Sequence, residues 1–344
     1  MKICKERFGI LSNGEEVKLF TLTAGDLKFS LTNIGATWTS LIVPSRKKKE
    51  DDILLGYSGL DGYLNNGQFL GVTVGRVANR IKDAVFNLDG RTYQLEPNDG
   101  KNNLHSGPKG FDKFLWKAEA YQEKDGVYVR FELDSPDGDC GFPGELNTVV
   151  IYGLTESNEV ICEYCAKSNK PTPVNLTNHA YFNLAGEGRG NILSHAVKLH
   201  ASSYVEVDKR CIPTGRILSV KDTVFDFSVS REINTEFNRK HQGYDHCFVI
   251  DGEPGDLRPC AEVFESSSGR TMKVSTTQPG VQFYTGNHLY NVIGKQGSRY
   301  VKHSGFCLET QHFPDSPNRE NFPSCITGPG NEYNEKAVFS FSVN

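Results

Sequence analysis

The chain holds 344 residues, with 38 Lys and Arg against 42 Asp and Glu, for a formal charge of −4. Apolar residues make up 37%, enough for a large core and too many for a disordered chain. The near-neutral balance argues against nucleic acid or an anionic membrane surface as the main partner. No run approaches the roughly 20 apolar residues that a membrane-spanning helix needs.

The nine cysteines are odd in number and scattered from Cys4 to Cys325, which suits a reducing compartment better than a disulfide framework. Residues Met1 to Arg7 carry charge where a secretory leader would place its apolar stretch. The expectation is a cytosolic protein.

Taken in chain order, period-two alternation dominates. Asn13-Gly14 marks an early turn, and Leu27, Phe29 and Leu31 alternate with Lys28, Ser30 and Thr32. Side chains on a strand point to opposite faces, so such a run describes a ribbon with one buried and one wet side. The charge run Lys47 to Asp52 reads as a solvated loop, and Leu60 to Asn65 as a helical turn. Asp89-Gly90 lies between Phe86-Asn87-Leu88 and Arg91-Thr92-Tyr93, a strong hairpin signal because both turn residues must tolerate positive φ.

Val127, Val129, Phe131 and Leu133 make a second alternating run. Cys162 and Cys165 form a lone C-x-x-C and read as strand residues, since neither a second pair nor a following helix accompanies them. Gly186 to Gly190 is Gly-rich but has no Lys-Ser/Thr, so it reads as a turn and not as a phosphate loop. Ser228 to Lys240 has the spacing of one short helix. Ser268-Gly269 separates two further apolar runs, and Phe339, Phe341 and Val343 close the pattern. No strand–helix rhythm repeats, and 34 Gly and 15 Pro punctuate many short strands. The expectation is one all-β domain over residues 1–344, built as a large antiparallel β-sandwich.

Five segments are too polar for ordinary core yet are flanked by strand signals, and loops on a rigid sheet are where binding groups collect. The first is Gly75-Arg76-Val77-Ala78-Asn79-Arg80-Ile81, an amide beside a fork of donors that suits several hydroxyls at once. The second is Asn102-Asn103-Leu104-His105-Ser106-Gly107-Pro108, with Gly110-Phe111-Asp112 following. The third runs from Thr172 to Leu184, where Asn175, Thr177 and His179 fall on one face at strand spacing and Leu176, Asn178 and Ala180 on the other. Burying that many polar groups unpartnered would cost about 1–3 kcal/mol each, so they serve a network or a ligand. The fourth has Asp245 opening an otherwise apolar strand. The fifth joins Gln278 to Asn287 with Gly305 to Asp315, where Glu309 follows Phe306-Cys307-Leu308 and desolvation would push it toward a usable base.

In order along nearly the whole chain, these segments resemble the aldose 1-epimerases, the family also called galactose mutarotases. The resemblance rests on Asn79-Arg80, Leu104-His105, Asp137-Gly138 with Gly141-Phe142-Pro143-Gly144, Pro173 to His179, and Tyr181-Phe182-Asn183-Leu184. It continues through Ile212-Pro213-Thr214-Gly215, Asp226-Phe227, Tyr244-Asp245-His246, Pro279-Gly280-Val281-Gln282 and Glu309-Thr310-Gln311. It implies a large sandwich fold, interconversion of the α and β anomers of free aldohexoses, His179 as general acid and Glu309 as general base. Asn79, Arg80, His105, Tyr181, Asp245 and Gln282 are then the sugar-contacting residues. One departure is Ser106, where many members have a second glycine. The implied chemistry changes no oxidation state and transfers no group, so it calls for no cofactor or metal, and the implied protein is a monomer or weak homodimer whose partner is a soluble sugar. A glycoside hydrolase using Asp245 and Glu309 as its carboxylate pair, a hexose-6-phosphate 1-epimerase and a non-catalytic carbohydrate-binding protein are the alternatives.

Overall fold

The computed structural model describes residues 1–234 and 243–344. Among them the chain forms three main antiparallel sheets. The first pairs its five strands, from Lys2–Ile10 to Glu50–Asp52, in chain order. Short turns explain that order, since neighbouring strands joined by two to five residues meander.

The second sheet has nine strands. Lys117–Gln122, Gly126–Ser135, Leu146–Thr155 and Glu159–Ser168 meander across one half. Tyr333–Val343 then inserts beside Glu159–Ser168 and pairs on its other edge with Arg270–Thr276. Arg258–Phe264, Ala196–Leu199 and Arg231–Glu232 complete the order. The third sheet runs Pro213–Ser219, Ser203–Val207, Asp245–Val249, Gly280–Tyr284 and Cys307–Gln311.

The alternating runs do what their period requires. Leu27, Phe29 and Leu31 are buried, as are Val127, Val129 and Phe131. They join one continuous core with Phe248, Val281, Phe283 and Leu308 of the third sheet. Trp38 packs edge-on against Phe29, Tyr152 and Phe339, with ring centroids 4.9, 5.4 and 5.5 Å away, so its indole ties the first sheet to the second. At the Asp89-Gly90 turn both residues have positive φ, 50° and 74°, and Leu88 pairs with Arg91 across it. Cys162 and Cys165 lie in the Glu159–Ser168 strand, and all nine cysteines are free thiols.

Three expectations need correction. The short helix expected over 228–240 does not form in its described part: Arg231–Glu232 is an edge strand paired with Val197 and Ala196. The rest of that span, from residue 235 on, lies outside the described residues. The charge run is a loop only in its first half, because Glu50–Asp52 pairs with Ile42 to Pro44. Asp51 accepts from the fully buried Arg270 at 2.8 Å and from Arg189 at 2.8 Å, and Asp52 holds Lys295 at 2.6 Å. Those carboxylates neutralise the buried Arg270 and the largely buried Lys295, which is a reason for a charge run that composition does not reveal. The third correction concerns residues 172–184. Only Thr172–Pro173 and Thr177–Asn178 are strands there, each of two residues, and burial covers both faces. Asn175 therefore turns inward, donating to the carbonyl of His312 and accepting from its amide.

Candidate active site

Antiparallel register builds one wall of a cavity. Asp245 stands opposite Tyr284, which stands opposite Cys307, and Gln282 stands opposite Glu309. Residues two apart share a face, so Asp245, Gln282, Tyr284, Cys307 and Glu309 project to one side of the third sheet. The alternate residues Phe248, Phe283 and Leu308 face the core. Gln282 donates to Asp245 Oδ1 at 2.6 Å, which fixes both side chains.

The facing wall is irregular backbone. Arg76 is fully buried and donates to the carbonyls of Ser135, Pro136 and Pro143, so it anchors the segment leading to Asn79. This explains the Pro143 motif structurally: its carbonyl is one of the anchor points. Asn79 has φ 64° and His105 has φ 53°, a region that non-glycine residues enter at a cost and mostly near functional sites. The two residues hold each other there. The His105 amide donates to the Asn79 carbonyl at 3.0 Å, and the Asn79 amide donates to His105 Nδ1 at 3.1 Å. Ser106, also at positive φ, accepts from the Val77 amide at 2.8 Å through its hydroxyl. The serine that stands in place of the family's glycine thus satisfies a buried donor.

That hydrogen bond assigns the His105 tautomer. An amide can only donate, so Nδ1 is the acceptor and Nε2 carries the proton in the neutral ring. Burial, His179 and Arg80 hold its pKa well below the ordinary histidine value. His105 therefore presents a neutral N–H to the cavity.

His179 is placed by backbone bonds to Val72 and Gly71 and by the Thr177–Asn178 pairing with Val74 and Thr73. Its ring lies parallel to Tyr181, centroids 5.0 Å apart, and to Phe69 at 6.0 Å. Nε2 is 3.7 Å from Glu309 Oε2. Burial lowers the His179 pKa to about 4, with its own carbonyl and Asp245 opposing. Burial and Asp245 push the Glu309 carboxyl well above the usual range, with Arg80 opposing. Glu309 Oε2 and Gln282 Oε1 are buried without a hydrogen-bond partner among the described residues. Two orphaned acceptors aimed at one space are the mark of a ligand with hydroxyl donors.

All eight residues singled out from the sequence line this one cavity of about 220 Å³: His179 and Glu309, Asn79 and Arg80, His105, Tyr181, Asp245 and Gln282. Its size is below the roughly 300–1,000 Å³ of sites for drug-sized ligands and suits a single small ring. Arg80 is paired with Asp99 at 2.7 Å and with Asp245 at 3.9 Å. Tyr181 spends its hydroxyl on the Gln68 carbonyl at 3.1 Å, so its ring is what it offers. Phe69, Tyr284 and His288 also line the cavity and were not singled out. Tyr284 was readable as the same-face neighbour of Gln282, whereas Phe69 sits in a loop with no periodic signal. A wider hollow of about 620 Å³ beside Tyr57 and Leu60 is lined by one carboxylate, Asp61, and no histidine.

His105, His179 and Glu309 bring ligand atoms within 4.8 Å of one another, close enough for a metal ion. The donor set does not fit one, because the Asn79 amide occupies His105 Nδ1 and leaves a protonated Nε2 toward the cavity.

A family profile described as aldose 1-epimerase matches residues 18–340. The chain is 44% identical to the galactose mutarotase of Bos taurus, covering 100% of this chain and 99% of that protein. It is 37% identical to the aldose 1-epimerase of Escherichia coli K12, covering 96% of each. Among solved structures it is similar to an aldose epimerase homologue from C. elegans, with a TM-score of 0.87 and 30% identity over 94% of this chain and 98% of the other. It is also similar to a galactose 1-epimerase from Lactobacillus acidophilus, with a TM-score of 0.88 and 25% identity over 100% and 99% of the two chains.

Proposed function

The chain belongs to the aldose 1-epimerase family, and from that premise we propose that it interconverts the α and β anomers of free aldohexoses, galactose and glucose among them. Family membership makes it an isomerase. The observation that carries the assignment of residues is the 3.7 Å approach of His179 Nε2 to Glu309 Oε2 in a buried cavity lined by sugar-binding side chains.

Ring opening needs one proton removed from the anomeric hydroxyl and one delivered to the ring oxygen. Glu309 as carboxylate takes the first and His179 as imidazolium gives the second, while the C1–O5 bond breaks and C1 becomes an aldehyde. Rotation about C1–C2 presents the other face. The two transfers then run backward, and the ring closes on the opposite anomer. Burial by itself favours the proton on Glu309 and a neutral His179. The reactive pair holds the same single proton on the other partner. An anomeric O–H donating to the orphaned Oε2 stabilises the carboxylate and tips that exchange. Such an acid–base pair contributes about 10²–10⁴-fold per member.

His105 offers its fixed Nε2–H, and Arg80 its guanidinium, to oxygen that gains charge as the ring opens. Asp245, Gln282 and Asn79 accept and donate to the remaining hydroxyls, and Tyr181 and Phe69 present ring faces to the sugar's C–H groups. A hexose 6-phosphate fits less well. Arg80, the one Lys or Arg side chain lining the described cavity, already faces two carboxylates, so a phosphate dianion would meet an acidic surround. The same reading has the chain act as one domain, a monomer or weak homodimer in the cytosol, where nine free thiols stay reduced. No described helix is long and apolar enough to cross a membrane.

Polarimetry of freshly dissolved α-D-galactose tests the proposal. Accelerated mutarotation is expected, and Glu309→Gln should lower kcat about 10²–10⁴-fold. Buffer rates with several free aldoses would overturn the reading, and faster turnover of a hexose 6-phosphate would move it to the phosphorylated class.

A further inference from the structure

The strand that carries Glu309 also reaches the other edge of the His179 ring. Cys307 lies two residues before Glu309 and so shares its face. Its Sγ is 3.5 Å from His179 Nδ1, while Glu309 Oε2 is 3.7 Å from Nε2. The Cys307 side chain is fully buried, in a small cluster with Leu55, Tyr181 and Tyr284. One strand thus contacts both nitrogens of one imidazole.

We infer that Cys307 is the positioning residue for His179: its thiol holds the Nδ1 edge and keeps Nε2 turned toward Glu309 and the sugar. The inference rests on the proposed role of His179 as acid. If His179 gives up a proton from Nε2, the neutral ring left behind must keep the proton on Nδ1. That N–H needs an acceptor in a place without bulk water. A thiol sulfur is a weak acceptor and carries no charge, and burial with Glu309 and Asp245 nearby pushes the Cys307 thiol far from ionising. A carboxylate there would pin the imidazolium and blunt the acid. A thiol orients the ring without doing so.

Among the side chains facing His179, the sulfur is the one set against the Nδ1 edge. Glu309 comes from the same strand, Tyr284 from the strand paired with it and Asp245 from the next one beyond. His105 is 5.4 Å away and Tyr181 5.0 Å, centroid to centroid, from the irregular wall. The ring's own carbonyl also accepts from it, so the Nδ1 proton is shared between that carbonyl and the sulfur.

The test compares wild type with Cys307→Ser and Cys307→Ala in pH–rate profiles of mutarotation. A hydroxyl is the stronger acceptor, so the acid limb should move up about half a pH unit in Cys307→Ser. Alanine removes the sulfur and leaves the ring's own carbonyl alone to hold that edge, so the limb should move down by about the same amount, with kcat reduced about tenfold and KM unchanged. Nitrogen-15 spectra of labelled histidine in the wild type, without substrate, should give the Nδ1–H tautomer for His179, with both ring signals displaced in the variants. Acid limbs that stay in place in both folded variants, or His179 signals unmoved by them, would overturn the inference. A wild type that fails to accelerate mutarotation would instead overturn the proposed function, and the spectra would still report on the thiol contact.

Discussion

One wall of the cavity is taken from a sheet and the other from irregular backbone, and the two hold their side chains by different means. On the sheet side, register alone sets Asp245, Gln282, Tyr284, Cys307 and Glu309 on one face, backed by Phe283 and Leu308 in the core. On the other side, Asn79, His105 and Ser106 occupy left-handed backbone and are kept there by specific hydrogen bonds. In a sheet wall the ladder keeps its register when one side chain is lost, although Gln282 and Asp245 also hold each other. The irregular wall depends on each bond, and one of them, from the Asn79 amide, is what gives His105 a fixed tautomer.

The sharpest way to break that contrast is at His105. His105→Gln should lower kcat about 10²-fold through loss of the N–H donor, measured by polarimetry with folding checked by circular dichroism. A variant with wild-type kcat would show that the irregular wall merely binds.

Acid titration probes the buried histidines, in the cavity and outside it, through stability. Burial lowers the pKa of both His179 and His195 to about 4, whereas the unfolded chain takes up those protons near pH 6.5. The unfolded state therefore binds more protons in that window. Stability should fall as pH drops from about 6.5 to 4, by about 3 kcal/mol for each histidine, and level off below. Urea midpoints across that range measure it; His105 is shifted in the same direction and adds to the slope, and His195→Gln should remove one histidine's share of it. Glu309 acts in the opposite sense: its raised pKa makes stability decline as pH rises above the ordinary carboxyl value.

The smallest effect sharpens the comparison. Ser106→Ala leaves the buried Val77 amide without its acceptor and should cost about 1–3 kcal/mol of stability, read from the same urea midpoints. A neutral result would mean that the family's glycine and this serine are interchangeable for reasons other than that bond.

Much of this was legible in the chain itself. Period two gave away the sheets because a half-buried ribbon has to alternate, and Asp89-Gly90 marked its hairpin because few residue pairs accept two positive φ angles. Asp245, Gln282 and Glu309 were legible as polar residues inside apolar strands. What stayed hidden was pairing at a distance. Nothing local says that Asp51 answers Arg270, so the charge run passed for a loop. Nothing local says that Asn175 turns to His312 while His179 faces the cavity, because two-residue strands obey their neighbours and not a period. Phe69 escaped for the same reason.

The position of the Tyr333–Val343 strand has a kinetic consequence. Residues 117–168 and 196–276 supply the two halves of the largest sheet, and among the described strands only this one bonds to both. Loop closure over such separations is entropically slow. Joining the halves is therefore a late step in folding, and until it happens each half exposes an unpaired edge on which misassembly can begin.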